Sequence, residues 1–438
     1  MSSAALTVGD EVVVTAGPIA HGGHVVARHE GRVLFVRHAL PGESVRVRVT
    51  EGGDGDRFLR ADAIEVLDAS PDRVEPACAY AGPGLCGGCD FQHVALPAQR
   101  ALKAAVVREQ LAHLARLDVE VQVEPMPGDA TGLGWRTRVE YAVDAAGHVG
   151  LRTHRSHDVV EIDRCLLAAP DPVQDRVIGA DWSGYGGVDV VVPSVGDPVV
   201  VPLPVGERAV PDVTERIDIE YANRTSRHAL TADFAVSARG FWQVHPAAAS
   251  TFTEMVLSRL DPMPGERALD LYAGVGLFSL ALADAVGPTG QVIAVESDAQ
   301  ATAQAKANLA AFRQALVLTQ RVDDAFGVPR AAGRGPQRRR GSRPRKVSRS
   351  PQLPTRADLV VLDPPRTGAG RGVCQAVADL RPRALVYVAC DPAALARDTA
   401  YLTQAGYRPQ ELRAFDAFPM THHVECVAHF TRDSNHPA

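Results

Sequence analysis

A cysteine and a glutamate near the C-terminal end of the sequence could carry out covalent chemistry together. Cys390 follows an apolar run, 384–389, that is typical of a buried β-strand, and a further strand is predicted to close with His423-Val424-Glu425. A cysteine at a strand end is more often a packed core residue than a nucleophile. With a carboxylate at the same edge of a sheet, however, the thiol could attack a substrate while Glu425 accepts a proton.

The elements that must position this pair begin after Phe252, where apolar runs alternate with helix-length segments such as 297–312. The apolar runs are 268–271, 292–296, 359–363 and 384–388. This alternation predicts an α/β fold with a parallel sheet and crossover helices. In such a sheet, ligands bind at the carboxyl ends of the strands.

The first of these strands is followed by a glycine-containing loop, 270–279. Gly274 and Gly276 allow a tight turn and let a ligand approach the backbone without a Cβ in the way. The loop lacks the third glycine of the dinucleotide fingerprint, so it is a poor NAD site. It resembles motif I of S-adenosylmethionine (SAM) methyltransferases, and this resemblance places Asp270 near the methionine ammonium group.

Acidic residues follow the next strands of the predicted sheet. Glu296 ends the second strand, where a carboxylate can accept hydrogen bonds from both ribose hydroxyls. Asp323 and Asp324 follow the expected end of the third strand, and both are candidates for the adenine edge. The alternative for each acid is an ordinary helix N-cap. The SAM contacts predicted in this domain are Asp270, Tyr272, Gly274, Gly276, Leu277, Glu296, Asp323, Asp324 and Asp363.

The fourth strand leads into Asp363-Pro364-Pro365-Arg366, in which the two prolines fix a loop that can wall a flat substrate. Amine methyltransferases hold an amino group with a related Asn/Asp-Pro-Pro-aromatic motif and need no thiol. Here Arg366 stands in the aromatic position and Cys390 follows, which favours methylation of carbon. Arg366 is also a candidate for lowering the pKa of the Cys390 thiol.

Carbon methylation would explain why a thiol and an acid are needed together. C5 of uracil is too weak a nucleophile to attack SAM directly, so a thiolate such as Cys390 must first add to C6. After methyl transfer the C5 proton must leave before the thiolate can be expelled, and Glu425 could accept that proton.

Three segments together resemble the RNA uracil-5-methyltransferase family, which modifies tRNA or 23S rRNA. They are Asp363-Pro364-Pro365-Arg366, Cys390-Asp391-Pro392 with Arg397-Asp398 behind it, and 416–425. The family's Phe-Phe-Gln-x-Asn motif appears as Phe241-Trp242-Gln243-Val244-His245; the resemblance assigns Gln243 to SAM, and His245 departs from the motif. RNA cytosine-5 enzymes carry a second cysteine just after the paired prolines. Arg366 occupies that place, which favours uracil over cytosine.

The first 68 residues contain short alternating strands separated by turns rich in Gly, Pro and Asp. The clearest strands are predicted at 11–14, 33–36, 44–49 and 62–67. Four or five such strands favour a small closed, OB-like barrel. The stretch resembles a TRAM domain, an RNA-binding barrel of several RNA-modifying enzymes, although a small barrel can equally serve as a protein-interaction or spacer module.

A helix is predicted at 97–117, with Leu102, Val106, Leu111 and Leu114 on one side, and we expect it to pack on the catalytic domain. Strands at 137–143 and 217–221 indicate a mainly β central region. The sequence therefore predicts three domains: a TRAM-like barrel at 1–68, a central domain at 69–250 and a SAM-dependent methyltransferase domain at 251–438.

Four of the seven cysteines, Cys78, Cys86, Cys89 and Cys165, have no part in this chemistry. Four thiolates suit tetrahedral zinc or an iron–sulfur cluster, and their spacing alone does not decide between the two. Some members of the resembled family carry a [4Fe-4S] cluster on three close cysteines and one distant cysteine, which favours that cluster over zinc. Cys374 and Cys426 belong to no motif and are predicted core residues.

With 46% hydrophobic residues the chain can bury a large core, and we expect a cytoplasmic monomer. No run is apolar enough to span a membrane, and the first ten residues lack the features of a signal peptide. The net charge is −6, yet nine Lys or Arg and no acid lie between Arg330 and Arg349. This stretch, at about 329–356, is predicted to be a disordered insertion, either a solvated loop or an arm that binds RNA phosphates.

Two other functions remain open from the sequence. A SAM-dependent N-methyltransferase would use the paired prolines without needing Cys390. A non-catalytic RNA-binding or iron–sulfur sensing protein would carry a degenerate methyltransferase domain, although Cys390, Glu425 and Glu296 are all present. The favoured interpretation is transfer of a methyl group from SAM to C5 of a uridine in rRNA or tRNA.

Overall fold

The N-terminal part of the computed structural model is a curled, six-stranded sheet. The structure describes residues 6–53, 55–206, 209–329 and 348–433. The six strands are β1 (Glu11–Thr15), β2 (Ile19–Ala20), β3 (His24–His29), β4 (Arg32–Arg37), β5 (Ser44–Glu51) and β6 (Phe58–Asp68). Their order across the sheet is β1-β5-β6-β4-β3-β2. The two edge strands are therefore neighbours in the chain.

The short link between β1 and β2 hydrogen-bonds on both sides, which curls the sheet into a small barrel. The Ala16 N–H donates to the Glu43 carbonyl and the Gly17 N–H to the Val26 carbonyl, both at 2.8 Å. Alternate residues of β5 are buried while those between them face outward, as the period-2 pattern predicts. The predicted OB-like architecture is confirmed, with six strands in place of four or five.

A helix and a short strand connect the barrel to the rest of the chain. Helix α1 (Leu96–Gln110) continues into a π-helical turn (Leu111–Ala115), and β7 (Val123–Pro125) follows. Val106 and Leu111 are buried as predicted, whereas Leu114, in the π-helical turn, is 45% exposed, and the polar residues Gln99 and Lys103 are enclosed as well. Polar partners on the catalytic domain, described below, explain why polar side chains face inward.

The central region is mainly β. Five strands form an antiparallel sheet of order β10-β9-β8-β11-β12, and two more form a long hairpin. The elements are β8 (Arg138–Val143), β9 (Val149–Arg152), β10 (Val159–Glu161), α2 (Pro172–Ile178), β11 (Gly187–Val191), β12 (Val199–Leu203), β13 (Asp212–Ala222) and β14 (Arg227–Ser237). The hairpin buries Ile217, Ile219 and Phe234 in one hydrophobic cluster with the catalytic domain.

The C-terminal part is a doubly wound α/β sheet with helices on both faces. Its elements are α3 (Ala248–Leu260), β15 (Arg267–Leu271), α4 (Leu277–Val286), β16 (Gln291–Glu296), α5 (Ala299–Asn308), β17 (Ala315–Thr319), α6 (Val322–Phe326), β18 (Leu359–Leu362), α7 (Gly370–Asp379), β19 (Ala384–Ala389), α8 (Pro392–Gln404), β20 (Tyr407–Asp416) and β21 (Glu425–Arg432). The strand order is β17-β16-β15-β18-β19-β21-β20-β7. The predicted α/β class is confirmed, and β7 adds an eighth strand from outside 251–438.

One predicted position within this sheet is wrong. Glu425 begins β21 and does not close a strand. Because β21 runs antiparallel to β19, its first residue lies at the same edge as the last residue of β19. Asp323 and Asp324 follow the end of the third strand, since β17 ends at Thr319, and they lie in the first turn of α6.

Cys374 and Cys426 are fully buried, as predicted for core residues. Residues 330–347, which make up most of the predicted basic insertion, lie outside the described residues. Within the described ranges, no helix has the length and apolar character needed to cross a membrane.

A buried ion pair joins α1 to the end of β20. The Lys103 ammonium group contacts Asp416 Oδ1 at 2.5 Å and the Phe418 carbonyl at 3.0 Å. Arg100 reaches the second carboxylate oxygen of Asp416 at 3.3 Å. The side chains of Lys103 and Asp416 are both inaccessible to solvent. This pair fixes the chain that leads from β20 to Glu425.

We expect Lys103→Met to destabilise the folded protein by about 3–5 kcal/mol, because the buried Asp416 carboxylate loses its principal partner. Thermal unfolding followed by calorimetry would measure the loss. The double variant Lys103→Met/Asp416→Leu should recover most of it, because an apolar pair of similar volume carries no unpaired charge. A double variant no more stable than Lys103→Met would contradict this account.

Candidate active site

Cys390 and Glu425 lie close together where two neighbouring antiparallel strands meet the same edge of the sheet. The register of β19 and β21 pairs Ala389 with Cys426. Cys390 directly follows Ala389, the last residue of β19, and Glu425 directly precedes Cys426 as the first residue of β21, so the pairing brings the thiol and the carboxylate together. Directly opposed residues have Cβ atoms about 4.5–5.5 Å apart. The strand pairing thus brings together the thiol and the acid that the sequence singled out.

The surroundings of Cys390 favour the neutral thiol. Burial, together with the nearby carboxylates of Glu425 and Asp363, raises the pKa of the Cys390 thiol to about 11. The Arg366 guanidinium acts in the opposite direction and lowers the pKa of this thiol. Arg366 is therefore the positive neighbour that the sequence suggested for Cys390.

Two acids beside the thiol share its poorly hydrated environment. Burial and the charge of Asp363 raise the pKa of Glu425 well above its usual value. Burial, followed by the charges of Asp270 and Glu296, raises the pKa of Asp363 to about 7. Asp363 therefore lies between the Cys390–Glu425 pair and the acids at the ends of β15 and β16.

Asp270, at the end of β15, is fully buried with one oxygen free. Ser279 Oγ donates to Asp270 Oδ2 at 2.6 Å, whereas Oδ1 has no hydrogen-bond partner in the part of the chain that the structure describes. Burial raises the pKa of Asp270 to about 7. A buried oxygen without a partner is costly, and a ligand ammonium group would satisfy it. The site therefore fits the methionine end of SAM.

The glycine loop after β15 opens towards the same cleft. Gly276 has a φ of 91° and precedes α4, whose first residue is Leu277. A Cβ built on Gly274 would meet no atom within 4 Å, so its backbone borders open space. The Gly274 N–H donates to Glu296 Oε2 at 3.1 Å, which ties the loop to the end of β16.

Tyr272 and Gln243 are two further predicted SAM contacts. Tyr272 lies near Asp323, whose charge contributes to raising the pKa of the Tyr272 phenol, although burial is the larger cause. Gln243 is buried in the segment that precedes α3. Asn308 links the glycine loop to β14. Its Nδ2 donates to the Val275 carbonyl at 3.0 Å, and its Oδ1 accepts from the Ala235 N–H at 2.9 Å.

The four cysteines with no catalytic role lie in one neighbourhood. The charge of Cys165 contributes to raising the pKa of Cys78, Cys86 and Cys89, with burial the largest cause in each case. Burial raises the pKa of the Cys89 thiol to about 12. Among the described residues, no three His, Cys, Asp or Glu side chains are already arranged around one metal position.

The cleft above Cys390 contains residues that sequence reasoning missed. Besides Cys390 and Arg366, its walls are formed by Ile19, His21, Gly22 and Gly23 of the barrel, Lys103 and Val106 of α1, and Asp391, His422 and His423 of the catalytic domain. The helical pattern already predicts Val106 on the buried side of the helix, but no local pattern assigns the barrel residues or Lys103 to this cleft, because they reach it only through the packing of distant parts of the chain.

His423 is a neutral imidazole that holds Arg366. Burial, with the neighbouring His422 and Arg366, lowers the pKa of His423 to about 3. A guanidinium group can only donate, so His423 Nε2 accepts from Arg366 Nη2 at 3.2 Å. His422 in turn is fixed by Asp90, with 2.6 Å between His422 Nδ1 and Asp90 Oδ2.

Two regions of the chain match known protein families. Residues 235–433 match the family described as tRNA (uracil-5-)-methyltransferase, and residues 5–64 match the TRAM domain. The crystal structure of the Pyrococcus abyssi tRNA (uracil-54, C5)-methyltransferase in complex with S-adenosyl-L-homocysteine shares the fold, with a TM-score of 0.63 and 21% identity. That alignment covers 95% of this chain and 99% of the other.

Relatives of higher sequence identity align over nearly the whole length. An uncharacterized RNA methyltransferase of Streptomyces avermitilis is 46% identical, with 96% of this chain and 98% of the relative aligned. The 23S rRNA (uracil(1939)-C(5))-methyltransferase RlmD of Chromohalobacter salexigens is 33% identical, with 95% of this chain and 88% of the relative aligned. The chain therefore belongs to the RNA uracil-5-methyltransferase family and is a SAM-dependent RNA (uracil-C5)-methyltransferase.

Proposed function

We propose that this enzyme methylates C5 of a uridine in 23S rRNA or tRNA, with Cys390 as nucleophile and Glu425 as proton acceptor. The observation that carries the proposal is the β19–β21 register, which brings Cys390, the residue after β19, close to Glu425, the first residue of β21, at the edge where the parallel strands end. Substrates of α/β sheets bind at that edge.

Cys390 begins the reaction as a thiolate that adds to C6 of the target uracil. The electron pair of the C5–C6 double bond moves towards C5 and O4, and C5 becomes nucleophilic. Because burial and two acids raise the pKa of Cys390 to about 11, forming the thiolate requires help. Arg366 supplies positive charge beside the sulfur and is itself oriented by the neutral His423.

Glu425 completes the reaction after C5 has attacked the methyl group of SAM. The carboxylate removes the C5 proton, the electron pair of that bond restores the C5–C6 double bond, and the Cys390 thiolate leaves. Its low-dielectric site raises the pKa of Glu425, which makes the carboxylate a stronger base than an exposed glutamate.

SAM would be held by residues along the carboxyl ends of β15 and β16. Asp270 Oδ1 would accept from the ammonium group, and Glu296 would bind the ribose hydroxyls in exchange for its bond to the Gly274 N–H. Asp323 or Asp324 would meet the adenine edge, and Gln243, Tyr272, Leu277 and Asp363 would complete the contacts. Pro364, Pro365 and Arg366 would wall the uracil.

We propose in addition that Cys78, Cys86, Cys89 and Cys165 hold a [4Fe-4S] cluster. The proposal is supported by the shared neighbourhood of the four thiols and by the chemistry of the donor set, since thiolates are the usual ligands of such clusters. A bound cluster would keep these sulfurs deprotonated despite their burial. Cytoplasmic location and a monomeric state remain predictions from the sequence.

The purified protein should convert one or more uridines of 23S rRNA or tRNA to 5-methyluridine when SAM is present. Mass spectrometry of nuclease digests would map the sites, and failure to form 5-methyluridine in either RNA would contradict the proposed function. RNA carrying 5-fluorouridine should form a covalent complex that survives denaturing electrophoresis, because fluorine cannot leave C5 as a proton. Cys390→Ala should abolish both outcomes, whereas the control Cys374→Ala, which removes a buried thiol of α7, should retain them.

Glu425→Gln should accumulate a covalent complex with ordinary uridine RNA, because the amide cannot accept the C5 proton and the thiolate stays attached. We expect turnover to fall by about 10²–10⁴-fold, the usual contribution of a general base. SAM labelled in its methyl group would reveal the complex as radioactivity that migrates with the protein. The complex should be missing from Cys390→Ala/Glu425→Gln, and labelled protein in that double variant would overturn the assignment.

Protein purified without oxygen should contain about four iron ions and four sulfide ions per chain. It should also show the visible absorption that is typical of such clusters. Cys86→Ser should lose the iron and sulfide because one of four ligands is gone. Cys374→Ser should keep them, since that thiol lies in a different part of the fold. Stoichiometric zinc in place of iron would contradict the cluster and support the tetrahedral alternative.

A further inference from the structure

The barrel forms part of the catalytic cleft. The segment 21–23, which we call the barrel loop, connects β2 to β3 and lines the cleft together with Cys390 and Arg366. A nucleotide bound beside Cys390 in this cleft would lie next to the barrel.

The barrel loop is held tightly against the catalytic domain. Gly23 has a φ of 78°, and a Cβ at this position would lie 2.7 Å from the Cβ of His422. His422 cannot move aside freely, because its backbone N–H and its ring both bind Asp90. The loop therefore occupies a defined place beside Cys390.

His21 is oriented by the residue that follows the nucleophile. Its Nε2 lies 3.1 Å from Asp391 Oδ2. The other oxygen, Asp391 Oδ1, accepts from the Ala394 N–H at 2.8 Å and caps α8, so the carboxylate has little freedom. His21 Nδ1 makes no hydrogen bond within the described residues, and the side chain is 42% exposed at the mouth of the cleft.

The other basic groups of the cleft are already engaged. Lys103 is inaccessible and paired with Asp416. The pKa of His423 lies at about 3, so its imidazole carries no charge near neutral pH. Arg366 binds His423 and lies beside the Cys390 sulfur. A target uridine that leaves its stack must bring its own phosphates to this cleft.

We infer that His21 binds a phosphate group of the target nucleotide through its free Nδ1–H while Asp391 holds Nε2. This inference rests on the proposed uridine methylation and adds the barrel contact that positions the base over Cys390. The hydrogen bond to Asp391 raises the pKa of His21 above 6.5, which keeps the imidazole cationic closer to neutral pH.

The charged and titratable groups around His21 fix the expected pH dependence. Asp391 of the catalytic domain and Glu109 of α1 raise the pKa of His21, and burial opposes them. The other titratable groups that line the cleft are Lys103, Arg366, Cys390, His422 and His423. Because the folded pKa is raised, the cationic form prevails below it and is lost as the pH rises through it.

The contact can be tested by equilibrium binding of an RNA substrate. The uridine that the wild-type enzyme methylates in this RNA is mapped beforehand. At pH 6, His21→Ala should weaken binding by about 10-fold, the worth of one charge-assisted hydrogen bond. At pH 9 the wild-type imidazole should be neutral and should no longer make this contact. The wild type and His21→Ala should then bind the RNA with equal affinity. The salt dependence of binding at pH 6 should decrease by about 0.7 in logarithmic slope, as for one lost phosphate contact on a single strand.

Two further variants separate a phosphate contact from a structural role. His21→Lys should restore binding at pH 6 and keep it at pH 9, because an ammonium group can contact phosphate at both pH values. His29→Ala, which removes another histidine of the barrel outside the cleft, should bind RNA like the wild type. SAM affinity should be unchanged in all three variants.

Equal RNA affinity of His21→Ala and the wild type at pH 6 would overturn the inference and leave the proposed methylation intact. An equal loss at both pH values that His21→Lys does not restore would also overturn it, since it would indicate only a docking role. If the wild-type enzyme forms no 5-methyluridine in any RNA, the proposed function and this inference fail together.

Discussion

The active site depends on confining a thiol and several acids at one poorly hydrated edge of the sheet. Asp270, Asp363 and Glu425 would each lose their charge more easily there than in water, because burial penalises carboxylates and each acid lies near another. The arrangement destabilises the resting enzyme. It is suited to a reaction in which a cationic methyl donor arrives beside Asp270 and a proton must be removed beside Glu425.

Such a site needs a rigid scaffold, and most of that scaffold lies outside the parallel sheet. The chain between β20 and β21 carries no regular structure, yet it must deliver Glu425 to the end of β19. Lys103 binds Asp416 and the Phe418 carbonyl, and the Gln99 side chain binds the Met420 N–H. The backbone N–H groups of Asp90 and Phe91 donate to the Met420 carbonyl. Helix α1 and the segment before it thus hold in place the chain segment that connects β20 to β21.

The sequence could predict the residues whose position depends on their immediate neighbours in the chain. Cys390, Gly274 and Asp363 stand directly at the ends of apolar strands, so period and spacing were enough to place them on one edge. The direction of the strand that begins at Glu425 depends on its pairing with β19, which lies before α8 and β20 in the chain, and this pairing leaves no local mark. Lys103 looks like the polar face of an amphipathic helix and is buried only because Asp416, far away in sequence, supplies its partner.

The composite cleft separates the chemistry from the choice of substrate. Cys390, Glu425 and the groups that would hold SAM belong to the sheet and its loops, whereas residues of the barrel form the opposite wall. Changes in the barrel loop could therefore alter which RNA enters without disturbing the acids and the thiol. Two positions of the barrel loop restrict such changes. At Gly23 any side chain would collide with His422, and His21 is bound to Asp391, the residue next to the nucleophile. The barrel and the catalytic domain therefore contact each other directly beside Cys390.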